Sequence, residues 1–210
     1  MPLRMSRDDL IELLRRQGFS ERILRAFARV PRELFVHPDY RDLAYEDTAL
    51  PTKNGQTISQ PSVIAEMLDA LDVFPGAKVL EVGLGSGYVA ALLSELGARV
   101  YGIERDPELC SEAQSRLKAL GYSVRVRCGD GAEGWPEESP FDRLLISAAV
   151  PRIPAPLVEQ LVDGGIFVAP VGSEYSQRIV AYVKRGDALH PVYVGSPVVF
   201  VPLRGRWGFR

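Results

Sequence analysis

The stretch Lys78-Val-Leu-Glu-Val-Gly-Leu-Gly-Ser-Gly-Tyr88 constrains this chain more than any other. A short apolar strand pattern, Lys78–Val82, runs into glycines at 83, 85 and 87, and a helical pattern starts at once from Tyr88 to Leu96. Strand, glycine turn and helix in that order bring free backbone N–H groups and a helix N-terminus up to a nucleotide-like ligand. A Cβ at Gly83, Gly85 or Gly87 would hold the ligand off the backbone or forbid the turn's dihedral angles.

The same alternation continues downstream. The patterning predicts strands at Lys78–Val82, Arg99–Glu104, Ser123–Cys128, Phe141–Ser147 and Gly165–Val171. Helices are predicted at Tyr88–Leu96, Pro107–Leu120 and Pro154–Leu161, with a turn or one short helix at Gly131–Glu138. Such alternation implies an α/β fold with a doubly wound, mostly parallel sheet and right-handed crossovers. Gln177–Val183 and Val192–Pro202 read as antiparallel strands closing its C-terminal edge.

Ahead of this fold lie two amphipathic helices. Ser6 with Asp9 forms a capping box before Leu10, Ile11, Leu13 and Leu14, and Ser20 caps a second stripe of Ile23, Leu24, Phe27 and Ala28. From Val30 to Gln60 the chain is irregular, the mark of a functional or a mobile segment. Pro61 opens a helix whose buried face is Val63, Ile64, Met67, Leu68 and Leu71. Residues 1–60 are therefore an N-terminal helical and loop extension packed on the main domain, 61–210, in one structural domain overall.

Composition narrows the function classes. The chain has 210 residues, 46% apolar and 25% charged, ordinary for a globular protein. A net charge of −2 argues against an undiscriminating grip on nucleic acid. Cys110 and Cys128 have no metal-ligand spacing around them and read as buried free thiols, which fits a reducing cytoplasm. The segment Met1–Asp9 lacks the apolar core of a signal peptide, and no apolar run is long enough to cross a membrane. The expectation is a cytoplasmic protein with neither nucleic acid nor membrane as partner, and a monomer.

In an open parallel sheet the ligand lies at the carboxyl ends of the strands. Three predicted strand ends carry suitable groups. The first is the glycine turn itself, with Leu84 inside it. The second strand ends on Glu104, followed by Arg105, and an acid there can accept both ribose hydroxyls. The third runs into Cys128-Gly-Asp-Gly-Ala132, where Asp130 can accept from an adenine amine while Gly131 and Ala132 leave room for the ring. Taken singly, each acid can equally be a helix cap or a turn former. Together, in order, they point to adenosine.

Spacing separates two adenosine ligands. A dinucleotide fingerprint puts its third glycine where this chain has Tyr88. The pattern here, Glu81-x-Gly83-x-Gly85-x-Gly87, resembles the first motif of S-adenosylmethionine-dependent methyltransferases. Glu81 can engage the ligand's ammonium, directly or through water, while the turn's N–H groups serve its carboxylate.

After the fourth predicted strand the chain reads Ile146-Ser-Ala-Ala-Val-Pro151. The amine-reading Asn/Asp-Pro-Pro-aromatic set of nucleic-acid methyltransferases is absent, as is the acid by which catechol-type enzymes hold a metal. A small, uncharged Ser147-Ala148-Ala149 surface suits an anionic acceptor. The segments Val30-Pro-Arg-Glu-Leu-Phe-Val36, Ala44-Tyr-Glu-Asp47, Gly55-Gln-Thr-Ile-Ser-Gln-Pro61 and Phe200-Val-Pro-Leu203, among others, closely resemble the protein-L-isoaspartate O-methyltransferase family. The resemblance runs from about Val30 to Leu203.

That resemblance implies a Rossmann-like methyltransferase fold, S-adenosyl-L-methionine as donor with S-adenosyl-L-homocysteine as product, and damaged proteins bearing isoaspartyl residues as partners. Methylation of the isoaspartyl α-carboxyl starts repair through a succinimide. Ser59 matches the family's active-site serine, with Ile58 beside it, and Val201 is expected to offer backbone hydrogen bonds to the substrate peptide. Gln177 and Arg204 match tail positions near the cofactor or substrate. Ser62 stands where some relatives carry His, and Arg204 where some carry a small hydroxyl residue. Ser59 also lies just outside the predicted helix at Pro61, where a helix N-terminus favours an anion; locally it reads equally as a plain N-cap. No metal site is expected, and His37, His190, Tyr45 and Trp135 carry no assigned role. The alternatives are a methyltransferase acting on RNA or a small molecule, and a non-catalytic S-adenosylmethionine-binding module.

Overall fold

Crossover connections place the helices, and hydrophobic faces decide what they cover. The computed structural model describes residues 4–210; Met1–Leu3, which open the segment read for a signal peptide, lie outside the described residues. The helices are α1 (Arg7–Arg16), α2 (Glu21–Arg29), α3 (Pro61–Leu71), α4 (Tyr88–Glu95), α5 (Pro107–Ala119) and α6 (Ala155–Glu159). The strands are β1 (Leu50–Pro51), β2 (Thr57–Ile58), β3 (Lys78–Val82), β4 (Arg99–Glu104), β5 (Arg125–Cys128), β6 (Phe141–Ile146), β7 (Leu161–Gly172), β8 (Gln177–Arg185) and β9 (Ala188–Val198). The main sheet has the order β5-β4-β3-β6-β7-β8-β9, parallel from β5 to β7 and antiparallel at β7–β8 and β8–β9. The predicted architecture holds.

Alternation along the strands builds a core on each face. Val79, Leu145, Val168, Ile179 and Ala181 pack with residues of α1 to α5, while Leu80, Val82, Ile103, Leu144, Ile146 and Phe167 pack with Leu157 of α6. The strand order reverses direction between β3 and β6, and the glycine turn leaves β3 at that switch point.

The N-terminal helices form as their caps predict. The Ser6–Asp9 capping box is complete on α1, and the Ser20 side chain accepts from the Ile23 N–H on α2. Phe27 of α2 meets the Tyr88 ring edge-on at 6.3 Å, and Phe35 meets it at 5.4 Å. Tyr88, the residue that breaks the dinucleotide spacing, thus fills the space under the extension. Tyr45 packs too: its hydroxyl accepts from Arg7 Nε at 2.9 Å and donates to Glu33. Trp135 stacks edge-on against Tyr101 at 5.7 Å.

Several boundaries differ from the sequence pattern. The irregular segment carries two 3-10 turns, Arg32–Leu34 and Pro38–Leu43, and the β1–β2 hairpin. That hairpin turns through Asn54 and Gly55, both at positive φ, 56° and 71°. The helix expected at Pro154–Leu161 stops at Glu159 and β7 begins at Leu161, because a bulge between its pairings at Leu161 and Ile166 absorbs Asp163–Gly165. The last strand ends at Val198 rather than Pro202. There the chain leaves the ladder: the Phe200 N–H donates to Gln177 Oε1 at 2.8 Å and the Val201 carbonyl accepts from Ala149 N–H at 2.8 Å.

The cysteines correct the sequence reading. Cys110 and Cys128, expected as free buried thiols, are joined in a disulfide over a separation of 18. Packing of α5 beside β5 brings their Cα atoms to 5.8 Å, inside bonding reach. Cys110 is buried but Cys128 is exposed on the edge strand. The case for a reducing compartment loses the support of free thiols.

Candidate active site

The glycine turn sits at the head of β3 with φ of 86° at Gly83, 55° at Gly85 and 89° at Gly87, angles that an L side chain rarely adopts. A Cβ on Gly87 would also stand 3.0 Å from Leu117. The turn is tied to β4 at two levels. Gly83 and Leu84 N–H both donate to the Ile103 carbonyl at 3.0 Å, and Gly85 N–H donates to Glu104 Oε2 at 2.8 Å. Glu104 Oε1 accepts from Asp106 N–H at 3.0 Å. The expected ribose acid is therefore already braced against the turn.

Glu104 and Asp130 line one cavity of about 390 Å³, with Gly83, Gly85, Arg105, Gly131, Ser147, Val201 and Arg204 also in its walls. A Cβ on Gly131 would lie 2.5 Å from Val82 Cγ1, so only glycine lets the third strand's loop close on β3. Asp130 is exposed, and its Oδ1 accepts the Ala132 N–H at 3.0 Å, which makes it the cap of a 3-10 turn as well as a cavity wall. Ala132 is buried beneath. Leu84 is buried too, its side chain pressed against Gly102, where a Cβ would meet it at 2.6 Å.

A second, smaller cavity of about 40 Å³ joins the two halves of the predicted site: Ser59 and Ile58 on one side, Glu81, Gly83, Leu84 and Gly85 on the other, with Ser147 and Phe200. Glu81 is 1% exposed. Its Oε1 accepts from Ser147 Oγ at 3.2 Å, while Oε2 has no partner. Burial pushes this carboxyl well above the usual carboxylate range, opposed by the Ser147 hydrogen bond and reinforced by Glu104. A third cavity of about 320 Å³ opens from Ser59 past Thr57, Val63, Pro197, Val198, Val199 and Phe200.

The residue before Pro61 takes an extended ψ of 132°, so α3 begins only at Pro61 with Gln60 as its cap position. Ser59 is therefore not the N-cap. Its hydroxyl makes no hydrogen bond within the described residues, and its carbonyl accepts from Arg32 Nη2 at 3.0 Å. The helix entrance is occupied instead by Asp47, whose Oδ1 accepts the Ser62 N–H at 2.8 Å and whose Oδ2 accepts from Gln60 Nε2 at 3.1 Å. The expected anion-favouring pull of α3 on the Ser59 region is thus largely spent on Asp47.

The two tail residues differ in placement: Arg204 lines the cavity of the expected cofactor acids, whereas Gln177 does not. Gln177, 2% exposed, is in the walls of none of the three cavities described: Oε1 accepts the Phe200 N–H, and Nε2 donates to the carbonyls of Ser173 at 2.7 Å and Glu174 at 3.3 Å. It shapes the strand exit that carries Phe200 and Val201. Arg204 lines the Glu104–Asp130 cavity, ion-paired with Glu174, and its carbonyl accepts from Arg105 Nη1 at 3.0 Å. Neither cavity lined by Ser59 includes Arg204. Val201 places its carbonyl on Ala149 and leaves its N–H without a partner among the described residues.

Thr57 and Phe200, which the sequence left without a role, complete the site together with Ser147. Thr57 lines all three cavities, and Ser147 and Phe200 line two each. Thr57 lies within the Gln-Thr-Ile-Ser segment and Phe200 within Phe-Val-Pro-Leu, so the motifs held that signal. The β1–β2 tip crosses to the α5 entrance, where Asn54 Nδ2 donates to Asp106 Oδ2 at 2.8 Å and Lys53 pairs with Glu108 at 3.3 Å and with Glu112. This carries Gln56 and Thr57 over the Glu104 cavity. His37 accepts the Asp39 N–H as a 3-10 cap, and His190 pairs with Val183 in the sheet.

Known proteins resemble this chain over nearly its whole length. The family model for protein-L-isoaspartate(D-aspartate) O-methyltransferase matches residues 5–208. The chain is 47% identical to a protein-L-isoaspartate O-methyltransferase of Hyperthermus butylicus over 99% of this chain and 92% of that one. It is 48% identical to one of Aeropyrum pernix over 100% of this chain and 83% of the relative. A solved protein-L-isoaspartate O-methyltransferase superposes with a TM-score of 0.87 at 29% identity, covering 97% of this chain and 67% of the other. A Plasmodium falciparum protein, solved in complex with S-adenosyl-L-homocysteine, shares the fold with a TM-score of 0.80 at 22% identity, over 95% of this chain and 99% of that one. Since the match spans the serine, the glycine turn and both acidic strand ends alike, the chain belongs to the protein-L-isoaspartate(D-aspartate) O-methyltransferase family.

Proposed function

We propose that this protein transfers a methyl group from S-adenosyl-L-methionine to the α-carboxyl of L-isoaspartyl residues in damaged proteins and peptides, initiating their repair through a succinimide. The observation that carries this reading is the shared cavity in which Ser59 faces Glu81 and the glycine turn. The donor fits the residues present. Glu81 Oε2 is a buried carboxyl oxygen without a partner, and a cationic amine beside it would favour its ionised form. The turn lets a ligand approach its backbone without meeting Cβ atoms, although the N–H groups of Gly83, Leu84, Gly85 and Gly87 are already bonded within the protein, and Glu104 and Asp130 offer acceptors at two strand ends.

When bound, the donor supplies an electrophilic sulfonium methyl, which passes to a carboxylate oxygen and leaves S-adenosyl-L-homocysteine. The acceptor carboxylate is ionised at neutral pH, so the protein needs no general base. Its task is positioning. The free Ser59 hydroxyl orients the acceptor, and the unpartnered Val201 N–H is available to a peptide carbonyl. Ile58, Ile64, Met67, Leu145 and Phe200 wall the small cavity with apolar surface and exclude water. We further infer that the enzyme works as a monomer in the cytoplasm, on protein rather than nucleic acid.

Incubation with methyl-labelled donor and two peptides differing only in an Asp or isoAsp linkage tests the function. Base-labile methyl ester on the isoAsp peptide alone is expected. Label on RNA or a small molecule, or donor binding without transfer, would replace this reading with another methyltransferase activity or a non-catalytic binding role.

A further inference from the structure

Arg32 opens the first 3-10 turn and is 0% exposed, the largest fully buried side chain of the protein. Its guanidinium lies over the Tyr88 ring at 5.0 Å. Nη2 donates to the Ser59 carbonyl at 3.0 Å and to the Thr48 carbonyl at 3.4 Å, while Nε and Nη1 find no partner. A buried guanidinium with two idle nitrogens is costly, and ties to two carbonyls do not require a full charge. Burial lowers its pKa, but an arginine remains protonated.

The Ser59 region has few other sources of positive potential. Neither of the cavities that Ser59 lines contains a lysine or arginine in its walls. The α3 entrance is occupied by Asp47, which lies in coulombic reach of Arg32 but makes no ion pair with it and spends its oxygens on Ser62 and Gln60. The cation that hydrogen-bonds the serine's own carbonyl is the one hidden behind it.

We propose that Arg32 is a specificity-determining residue, whose buried charge behind Ser59 selects an ionised carboxylate over a neutral isostere at the acceptor position. This rests on the function proposed above. Donor cation and acceptor anion both lose charge on the way to the ester, so the field of Arg32 stabilises the bound anion more than the transition state. Its removal therefore weakens acceptor binding and leaves kcat unchanged or raised. Burial also protects it from salt screening.

The test uses the full-length enzyme, an isoAsp peptide, and the same peptide with the α-carboxyl converted to a carboxamide, a competitive ligand that cannot accept the methyl. Arg32→Met should raise KM for the isoAsp peptide about tenfold, with the carboxamide's inhibition constant changed by less than about threefold. Arg32→Lys should keep most of the preference. Calorimetry with S-adenosyl-L-homocysteine reports whether each variant retains its fold. Equal weakening of both peptides would make Arg32 a mere structural tie, and no change in either would remove it from the site; both overturn the inference. Should Arg32→Met not fold, the wild type decides: its preference for carboxylate over carboxamide should survive added salt, and a preference that collapses with salt belongs to surface charge and refutes Arg32. If the wild type binds both peptides with that salt-resistant preference but methylates neither, the proposed function fails while the selectivity stands.

Discussion

Replacing Glu104 by Gln keeps the side chain's volume while removing its charge and one acceptor oxygen. In the structure its two oxygens brace the Gly85 N–H at 2.8 Å and the Asp106 N–H at 3.0 Å. The carboxylate also lines the adenosine-side cavity, where its remaining lone pairs are free for ribose hydroxyls. The substitution acts on both duties, but unequally. On the ligand side at least one charge-assisted hydrogen bond is lost, about 1.5–3 kcal/mol. That corresponds to a Kd for S-adenosyl-L-homocysteine raised roughly 10- to 150-fold. On the protein side Glu104 is half-buried, so water can take up a released N–H, and the loss is about 1 kcal/mol or less. For a chain of this size that lowers Tm by roughly 2–4 °C. Titration calorimetry and ligand-free thermal unfolding separate the two effects. A Kd within about threefold of wild type would refute the ribose assignment. A Tm loss beyond about 10 °C would show instead that bracing the turn is the dominant duty.

Three further outcomes are expected. Ser59→Ala should lower kcat by about one to two orders of magnitude, the range for a lost orienting donor, with product affinity unchanged by calorimetry; unaltered kcat would remove the serine from its role. Glu81 has its folded-state pKa raised by burial, so the stability tied to its protonated form is full at low pH and is lost as pH rises through that raised pKa. Glu81→Gln should therefore gain in Tm relative to wild type as pH rises above the usual carboxylate range without ligand, yet bind the donor more weakly; a pH-independent Tm difference would contradict the buried carboxyl. Replacing both Cys110 and Cys128 by Ser should cost about 3 kcal/mol from a loop of separation 18, read by denaturant unfolding, and addition of reductant to the wild type should reproduce it.

Much of the fold was legible because its signals are local. Ser6 with Asp9, and Ser20, act on their own neighbours, and each forms the cap that its chemistry prescribes, whereas the Asn54-Gly55 hairpin turn lay unread within the irregular segment. Boundaries failed where a distant partner decided them. The last strand stops at Val198 because Gln177 and Ala149 capture Phe200 and Val201, residues that alternation alone would leave in the ladder. Gln177 itself, read as a ligand contact through family likeness, serves the backbone because burial demands that its amide be satisfied.

What the sequence determined by itself is the βαβ order, the glycine turn, and the acids and serine that line the cavities at the strand ends, since periodicity, backbone permissiveness and side-chain charge belong to the residues themselves. What only the tertiary structure decided is which of those groups remain free to act. It closed Cys110 onto Cys128, put Asp47 rather than Ser59 at the α3 entrance, left Glu81 Oε2 unpaired, and hid the Arg32 charge behind the serine. Those outcomes depend on contacts between segments far apart in the chain, where desolvation and competition for hydrogen-bond partners are settled only once the elements have packed.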